Sequence, residues 1–425
     1  DVLVQFARAA DGAPLDPASI EVWVRGGSPE LAVDTEAGTL AISAGGLDPG
    51  KHSVVVRASD TAGRSAENGL LWIPLWVESV PFSWEDALIY FVFTDRFRNG
   101  DWTQPQPEPV PDVLESANYQ GGDFLGVLDA LEDDWFEDLG VNVLWLTPIY
   151  SNAPGAWLAT DSVHNFSGFH GYWPISASAV EPRLGDFWVD SEDRLHELID
   201  EAHRQGLRVM LDLVLNHVHQ DHDYVSAHPE WFGGGCVCGT AGCDWEERRL
   251  DCWFTDYLPD IDYRNHELGM LAIDDTLALI RSFDVDAVRV DAAKHMDHVA
   301  MRTLRRRLRE EVEAPGAASV YVVGETFTGS DGHGAIMEYV SDWELDGQFD
   351  FPLFWAIRDA FVHGGSFVAL EEAVATGEAA YGDFVMAPFA GNHDVPRLAT
   401  EIAGNDDGAW GWSEDLLDNG SWEVD

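Results

Sequence analysis

Residues 285–295 read VDAVRVDAAKH, a short apolar run that ends in an arginine, an aspartate, a lysine and a histidine. Side chains alternate across a strand, so Arg289 and Asp291 point the same way, and a guanidinium beside a carboxylate holds it ionised at neutral pH. An ionised, positioned aspartate is a nucleophile, although the same pair could be an ion pair that only orders a core. Three further stretches favour chemistry: VMLDLVLNH at 209–217, VVGETF at 322–327 and FAGNHD at 389–394. Each is an apolar run that stops abruptly in titratable residues, as strands of a parallel barrel do at their C-terminal, catalytic ends. Asp291, Glu325 and Asp394 are then three carboxyl groups delivered to one face by three strands. Arg289 keeps Asp291 charged, whereas a glutamate at an apolar strand end holds its proton longer, so the two are suited to nucleophile and acid.

Together with LPDID at 258–262, these stretches resemble, in order and spacing, the characteristic regions of glycoside hydrolase family 13, the alpha-amylase family. The resemblance runs from about Ile89 to Asp394 and leaves the first eighty or so residues uncovered. It implies a TIM (β/α)8-type barrel and retaining cleavage of α-1,4-glucosidic bonds in starch and related glucans. Asp291 would attack the anomeric carbon and Glu325 would serve as acid and base, with carboxyl groups about 5 to 5.5 Å apart. Asp394, with His393 beside it, would bind sugar hydroxyls more tightly in the transition state. The FHGYW motif at 169–173 would line the scissile subsite, with Tyr172 against the sugar ring, His170 nearby and Trp173 in the same wall. His217 would hydrogen-bond the same sugar. Lys294 and His295 resemble the pair that α-1,4-acting members use on the leaving-group side. Asn216, Asp260 and the backbone carbonyl of His295 would hold a structural calcium ion, and Asn99, Asp101 and Asp123 a second one, unless that loop is merely acidic and solvated. An α-glucan transglycosylase of cyclodextrin-forming or maltogenic type shares the first chemical step. A non-catalytic glucan-binding barrel is the reading from another class; it predicts a lost carboxylate, and all three are present.

The elements that must position these groups follow from periodicity. Residues 1–80 alternate, as in Ile20, Val22 and Val24 against Glu21 and Trp23, with turn signals between, and predict an Ig-like β-sandwich. Trp23, Trp72 and Trp76 in it could stack on sugars or fill a core. Barrel strands are expected to begin near Leu88, Val141, Leu207, Val285, Val320, Gln348 and Phe384. That is seven where closure needs eight. The residues after Asp394 are polar and Trp/Asp-rich, with no eighth apolar run, as in a fragment of a longer protein. Leu125, Leu128, Leu131, Trp135 and Leu139 predict one amphipathic helix, and residues 191–206 another, stopped by Gly206. The barrel is assigned to 81–217 and 267–425. Residues 218–266 are too long for a simple loop and form an inserted subdomain. It holds Cys236, Cys238, Cys243 and Cys252, which predict two disulfides in any of three pairings, with a four-thiolate zinc site as the alternative.

With 76 acidic against 24 basic residues, the net charge of −52 opposes nucleic-acid and anionic-membrane partners but is indifferent to a neutral polysaccharide. No apolar run approaches the roughly 20 residues that span a bilayer. A secreted monomer acting on α-glucans, with structural calcium, is the expectation.

Overall fold

The computed structural model describes residues 1–24, 27–65, 69–100, 108–159, 163–314 and 318–403. Asp101 and the residues after 403 lie outside it.

Six parallel strands in consecutive order build the wall of a (β/α)8-type barrel: Ile89–Val92, Val143–Leu146, Arg208–Leu213, Ala287–Val290, Tyr321–Gly324 and Gly347–Gln348. Strands two to five are buried along their whole length, which is why they read as unbroken apolar runs and not as alternation. The two faces nonetheless fill two different cores. Leu144, Leu146, Val209, Leu211, Leu213, Val288, Val290 and Val322 point outward against helix residues such as Leu195, Leu198, Leu277, Ile280 and Leu304. Val143, Trp145, Met210, Ala287, Tyr321 and Val323 point inward. Counting on by twos from Met210, Ala287 and Val323 reaches Asp212, then Arg289 and Asp291, then Glu325. The parity of the strands therefore aims all four charged groups into the barrel.

Two expectations are corrected. The stretch from Phe384 forms no strand among the described residues; it meets the sheet through a parallel bridge, Phe349 to Ala387, and through Tyr321 Oη, which donates to Val385 O at 2.6 Å. Pro388 follows at once, and a residue without an N–H cannot continue a ladder. Phe389 instead stacks on Phe354, ring centroids 4.8 Å apart. The helix expected from Leu125 to Leu139 is two pieces, Phe124–Glu132 and Trp135–Asp138, broken where Asp134 adopts φ 59°. The run of aspartates at the break competes for backbone hydrogen bonds, and Trp135 turns onto the rings of Tyr90 and Phe97. The second expected helix is Ser191–Arg204, capped by Asp190, with Gly206 at φ 86° just beyond its end.

The first strands form two antiparallel three-stranded sheets sharing the core of Val4, Val24, Leu40, Ile42, Val54, Val56 and Ile73. The last of these strands ends at Val77, and the first barrel strand begins at Ile89. Of the three tryptophans considered, Trp23 is exposed with Arg57 over its ring. Trp72 belongs to the barrel's outer core, and Trp76 packs edge-on against His203 with Arg208 over its face. Sandwich and barrel are also joined by charge. Lys51, one of two lysines in the chain, is buried with Nζ 3.0 Å from Asp284 Oδ1 and 2.9 Å from Asp286 Oδ1. Ser53 Oγ donates to Asp284 Oδ2 at 2.5 Å. Asp286 Oδ2 accepts from Val209 N and lies 2.9 Å from His203 Nε2. Gly50 is required beside Lys51, because a Cβ there would sit 2.7 Å from the carbonyl oxygen of His203.

Burial by itself would raise the Asp286 carboxyl, but Lys51 and His203 outweigh it and hold the group below the usual carboxylate range. A depressed folded-state pKa contributes stability above the unfolded value and loses it as pH falls. Replacing Lys51 with Met leaves buried carboxylates without their cation and should cost about 3 to 5 kcal/mol at neutral pH by urea unfolding. The loss should shrink when the measurement is repeated below about pH 4, where the unfolded carboxylates are protonated.

Candidate active site

Arg289 is the hub. It comes from the fourth barrel strand and is fully buried. Its Nη1 donates to Asp212 Oδ1 at 2.9 Å and to Asp291 Oδ1 at 2.6 Å, and its Nη2 lies 2.8 Å from Glu325 Oε2. One guanidinium thus gathers carboxylates from strands three, four and five. The second oxygen of Asp212 accepts from Trp145 Nε1 at 3.1 Å and from Tyr172 Oη at 2.8 Å, so this carboxylate is occupied with holding its neighbours. Asp291 and Glu325 keep 13% and 11% of their side chains open to solvent, which leaves both able to meet a ligand.

Burial pushes the Glu325 carboxyl up to about 7, although Arg289 opposes the shift and Asp394 and Asp291 add to it. Asp394 sits at the mouth on the loop that follows Pro388, with 41% of its side chain exposed. The surrounding protein raises its carboxyl too, with Arg289 opposing and Asp291 adding. Its neighbour His393 lies 3.3 Å away and packs parallel to Tyr172, ring centroids 5.3 Å apart, and against Phe91. Burial lowers His393 to about 4, His170 to about 3, and also lowers His217. All three imidazoles are therefore neutral at pH 7 and can give or take hydrogen bonds with an uncharged partner.

Tyr172 stacks on His170 as well, at 5.9 Å, and its backbone N–H donates to His170 Nδ1. Trp173 lies behind His170, their rings edge-on with centroids 4.4 Å apart. It is buried in a satellite core with Phe166, Tyr257 and Leu258, so it supports the loop from beneath. Lys294 Nζ donates to Phe327 O at 3.1 Å, and His295 Nδ1 lies 3.1 Å from Arg249 O in the insertion. Within that insertion the cysteines pair as Cys236–Cys243 and Cys238–Cys252, which removes the zinc alternative.

The residues read as calcium ligands divide into two sets. A bridge pairs His217 with Asp260, and Ile261 N donates to Asn216 O, so the segments that carry Asn216 and Asp260 run side by side. Asn216 Oδ1 is buried with no hydrogen-bond partner. Burial drives the Asp260 carboxyl well up, with Asp262 and Asp251 adding to the push. An orphaned amide oxygen and a carboxyl group on adjoining segments fit a hard cation bound through oxygen. No group of three or more His, Cys, Asp and Glu suited to a metal occurs among the described residues, and a site of one carboxylate, one amide and one carbonyl is of a different make-up. In the second set, Asp123 Oδ1 caps the helix Phe124–Glu132 through Gly126 N and accepts from Gly100 N. Asn99 lies in the same corner, and Asp101 is outside the described residues. The sequence reading passed over Asp95, which lies in this corner, buried, and accepts from Gln120 N and Gly121 N. Its position three residues past the end of the strand Ile89–Val92 was the available signal.

Residues 91–231 match the family described as alpha amylase, catalytic domain. The chain is 29% identical over 331 residues to alpha-amylase 3 of Schizosaccharomyces pombe, covering 74% of this chain and 53% of that protein. It is 30% identical over 275 residues to an intracellular maltogenic amylase of Bacillus subtilis, covering 59% and 38%. The solved alpha-amylase of Geobacillus thermoleovorans, complexed with acarbose, superposes with a TM-score of 0.62 at 26% identity, over 76% of this chain and 65% of that one. The chain thus spans about half the length of the fission-yeast relative.

Replacing Arg289 with Met would leave three carboxyl groups without their cation, so those of Asp212 and Glu325, which burial already raises to about 7 against the opposition of Arg289, should rise further. Groups raised in this way stabilise the fold only while protonated. The urea midpoint of the variant should therefore fall as pH rises from 5 to 8, more steeply than that of the parent protein.

Proposed function

Starting from the chain's similarity to the alpha-amylase family, we propose that it carries the catalytic centre of a retaining endo-glycosidase acting on α-1,4-glucosidic bonds of starch-like glucans. The observation that carries this reading is the shared guanidinium, which keeps Asp291 and Glu325 side by side at the ends of adjacent strands. Asp291 attacks the anomeric carbon to form a glycosyl ester while Glu325 gives its proton to the departing glycosidic oxygen. Glu325 then takes a proton from water, whose oxygen attacks the same carbon and frees Asp291. Asp394 and His393 hold ring hydroxyls in the distorted state, and Tyr172, His170 and His217 flank the sugar. Lys294 and His295 stand on the leaving-group side. Transfer to a sugar hydroxyl would share the first half of this cycle, and product chromatography on soluble starch separates the two outcomes.

A calcium ion fits Asn216 and Asp260, with the His295 carbonyl joining by resemblance. When bound, it supplies positive charge that ties strand three to the insertion. The domain assignment we adopt is a sandwich over 1–80, an insertion over 218–266 and the catalytic barrel in 81–217 and 267–425. No helix among the described residues is long and apolar enough to cross a membrane. The two disulfides and the acidic surface support a secreted monomer that meets a neutral polymer outside the cell.

Three outcomes are expected of the full-length protein. Asp291→Asn should abolish starch hydrolysis by several orders of magnitude in a reducing-sugar assay, because no other group can form the ester. The value of kcat/KM should decline as pH rises above about 7, where Glu325 loses the proton it must donate, and the limb should vanish in Glu325→Gln. Dialysis against a chelator should lower the melting temperature, and added calcium should restore it, with no such response in Asp260→Asn.

A further inference from the structure

We propose that Trp245, carried by the disulfide-bonded loop of the insertion, is a flat binding platform for the sugar on the leaving-group side of the cleaved bond. The inference rests on the glycosidase reading and assigns a role to the cysteine loop, which that reading leaves unused.

The loop is closed twice, by Cys236–Cys243 and Cys238–Cys252, and the buried sulfurs pack with Phe254. Trp245 follows immediately and is fixed in place. Gly239, at φ 80°, lies against its indole so closely that a Cβ would meet Nε1 at 2.7 Å. Asp244 Oδ1 accepts from the backbone N–H groups of Glu246 and Glu247 and sets the turn that presents the ring. The indole meets Phe254 at 5.7 Å and the edge of His295 at 5.9 Å. Phe254 continues the row, 5.0 Å from His295 and 5.3 Å from His217. A line of rings thus runs from the barrel mouth to Trp245, which is 42% exposed.

The position of the loop decides which sugar it would meet. Lys294 Nζ is bonded to the carbonyl of Phe327, two residues beyond Glu325, and lies 3.7 Å from Glu246, the residue next to Trp245. Arg249 of the same loop accepts His295 Nδ1 through its carbonyl and pairs with Glu338 of the barrel at 3.0 Å. The loop therefore stands on the side of the acid, where the protonated oxygen departs. A rigid, half-open indole suits the C–H face of a pyranose, and Glu246 and Lys294 beside it can bond hydroxyls. The Cys238–Cys252 closure around it, with Cys236–Cys243 pinning the segment just before it, removes entropy that a mobile loop would lose on binding.

The test compares maltoheptaose with α-maltotriosyl fluoride, whose fluoride leaving group places no sugar on that side. In the full-length protein, Trp245→Ala and Trp245→Leu should each lose about tenfold in kcat/KM on maltoheptaose, mainly through KM. Both should lose less than about twofold on the fluoride, and Trp245→Phe should recover most of the loss. Equal losses on both substrates, no loss on either, or a Trp245→Leu variant that matches the parent would overturn the proposal. A parent protein that cleaves neither substrate would instead refute the glycosidase reading, and this inference with it.

Discussion

The structure depends on one constraint: three carboxylates of the barrel interior must share one guanidinium. Asp212, Asp291 and Glu325 all lie on Arg289, and no second buried cation joins them among the described residues. Three negative charges against one positive charge in a dry interior cannot all persist, so burial raises carboxyls of the cluster toward their protonated form. Asp212 takes hydrogen bonds from Trp145 and Tyr172, and Asp291 takes the closer arginine contact. Burial raises both Asp212 and Glu325 to about 7 against the pull of Arg289. Asp212 is tied up by those hydrogen bonds, so Glu325, with 11% of its side chain open, is the raised carboxyl that a ligand can meet. The same electrostatics that would weaken a structural core here separates a nucleophile from an acid.

The rest of the chain meets the same problem with the few bases it has. Both lysines stand at seams. Lys51 neutralises Asp284 and Asp286 where the sandwich meets the barrel, near the starts of strands three and four. Lys294 spans from the strand-five end to the insertion at the opposite end of strand four. Lys51 is buried and Lys294 partly exposed, and the two tie separate modules to the strand that carries Arg289. The insertion adds covalent closure where it has little core of its own, since its buried apolar residues around the sulfurs are few.

What the sequence determined by itself was the set of strand ends and the direction of their side chains. Strands buried on both faces must be apolar until they leave the barrel, so the first polar residues mark the exit, and the two-residue period then assigns Arg289, Asp291, Asp212 and Glu325 to the interior. Those two rules are local, and a sequence displays local rules directly. Everything that hinged on what approaches from elsewhere was decided only in the folded molecule. Among these were the pairing of four cysteines, the failure of residues 384–390 to join the sheet beyond one bridge, and the burial of Trp173 beneath its own motif. The seam roles of Trp72 and Trp76 belong with them, as does the orphaned oxygen of Asn216. A side chain's type states what it can bond to, but its partner is set by packing between segments far apart in the chain, and that information is spread over the whole fold.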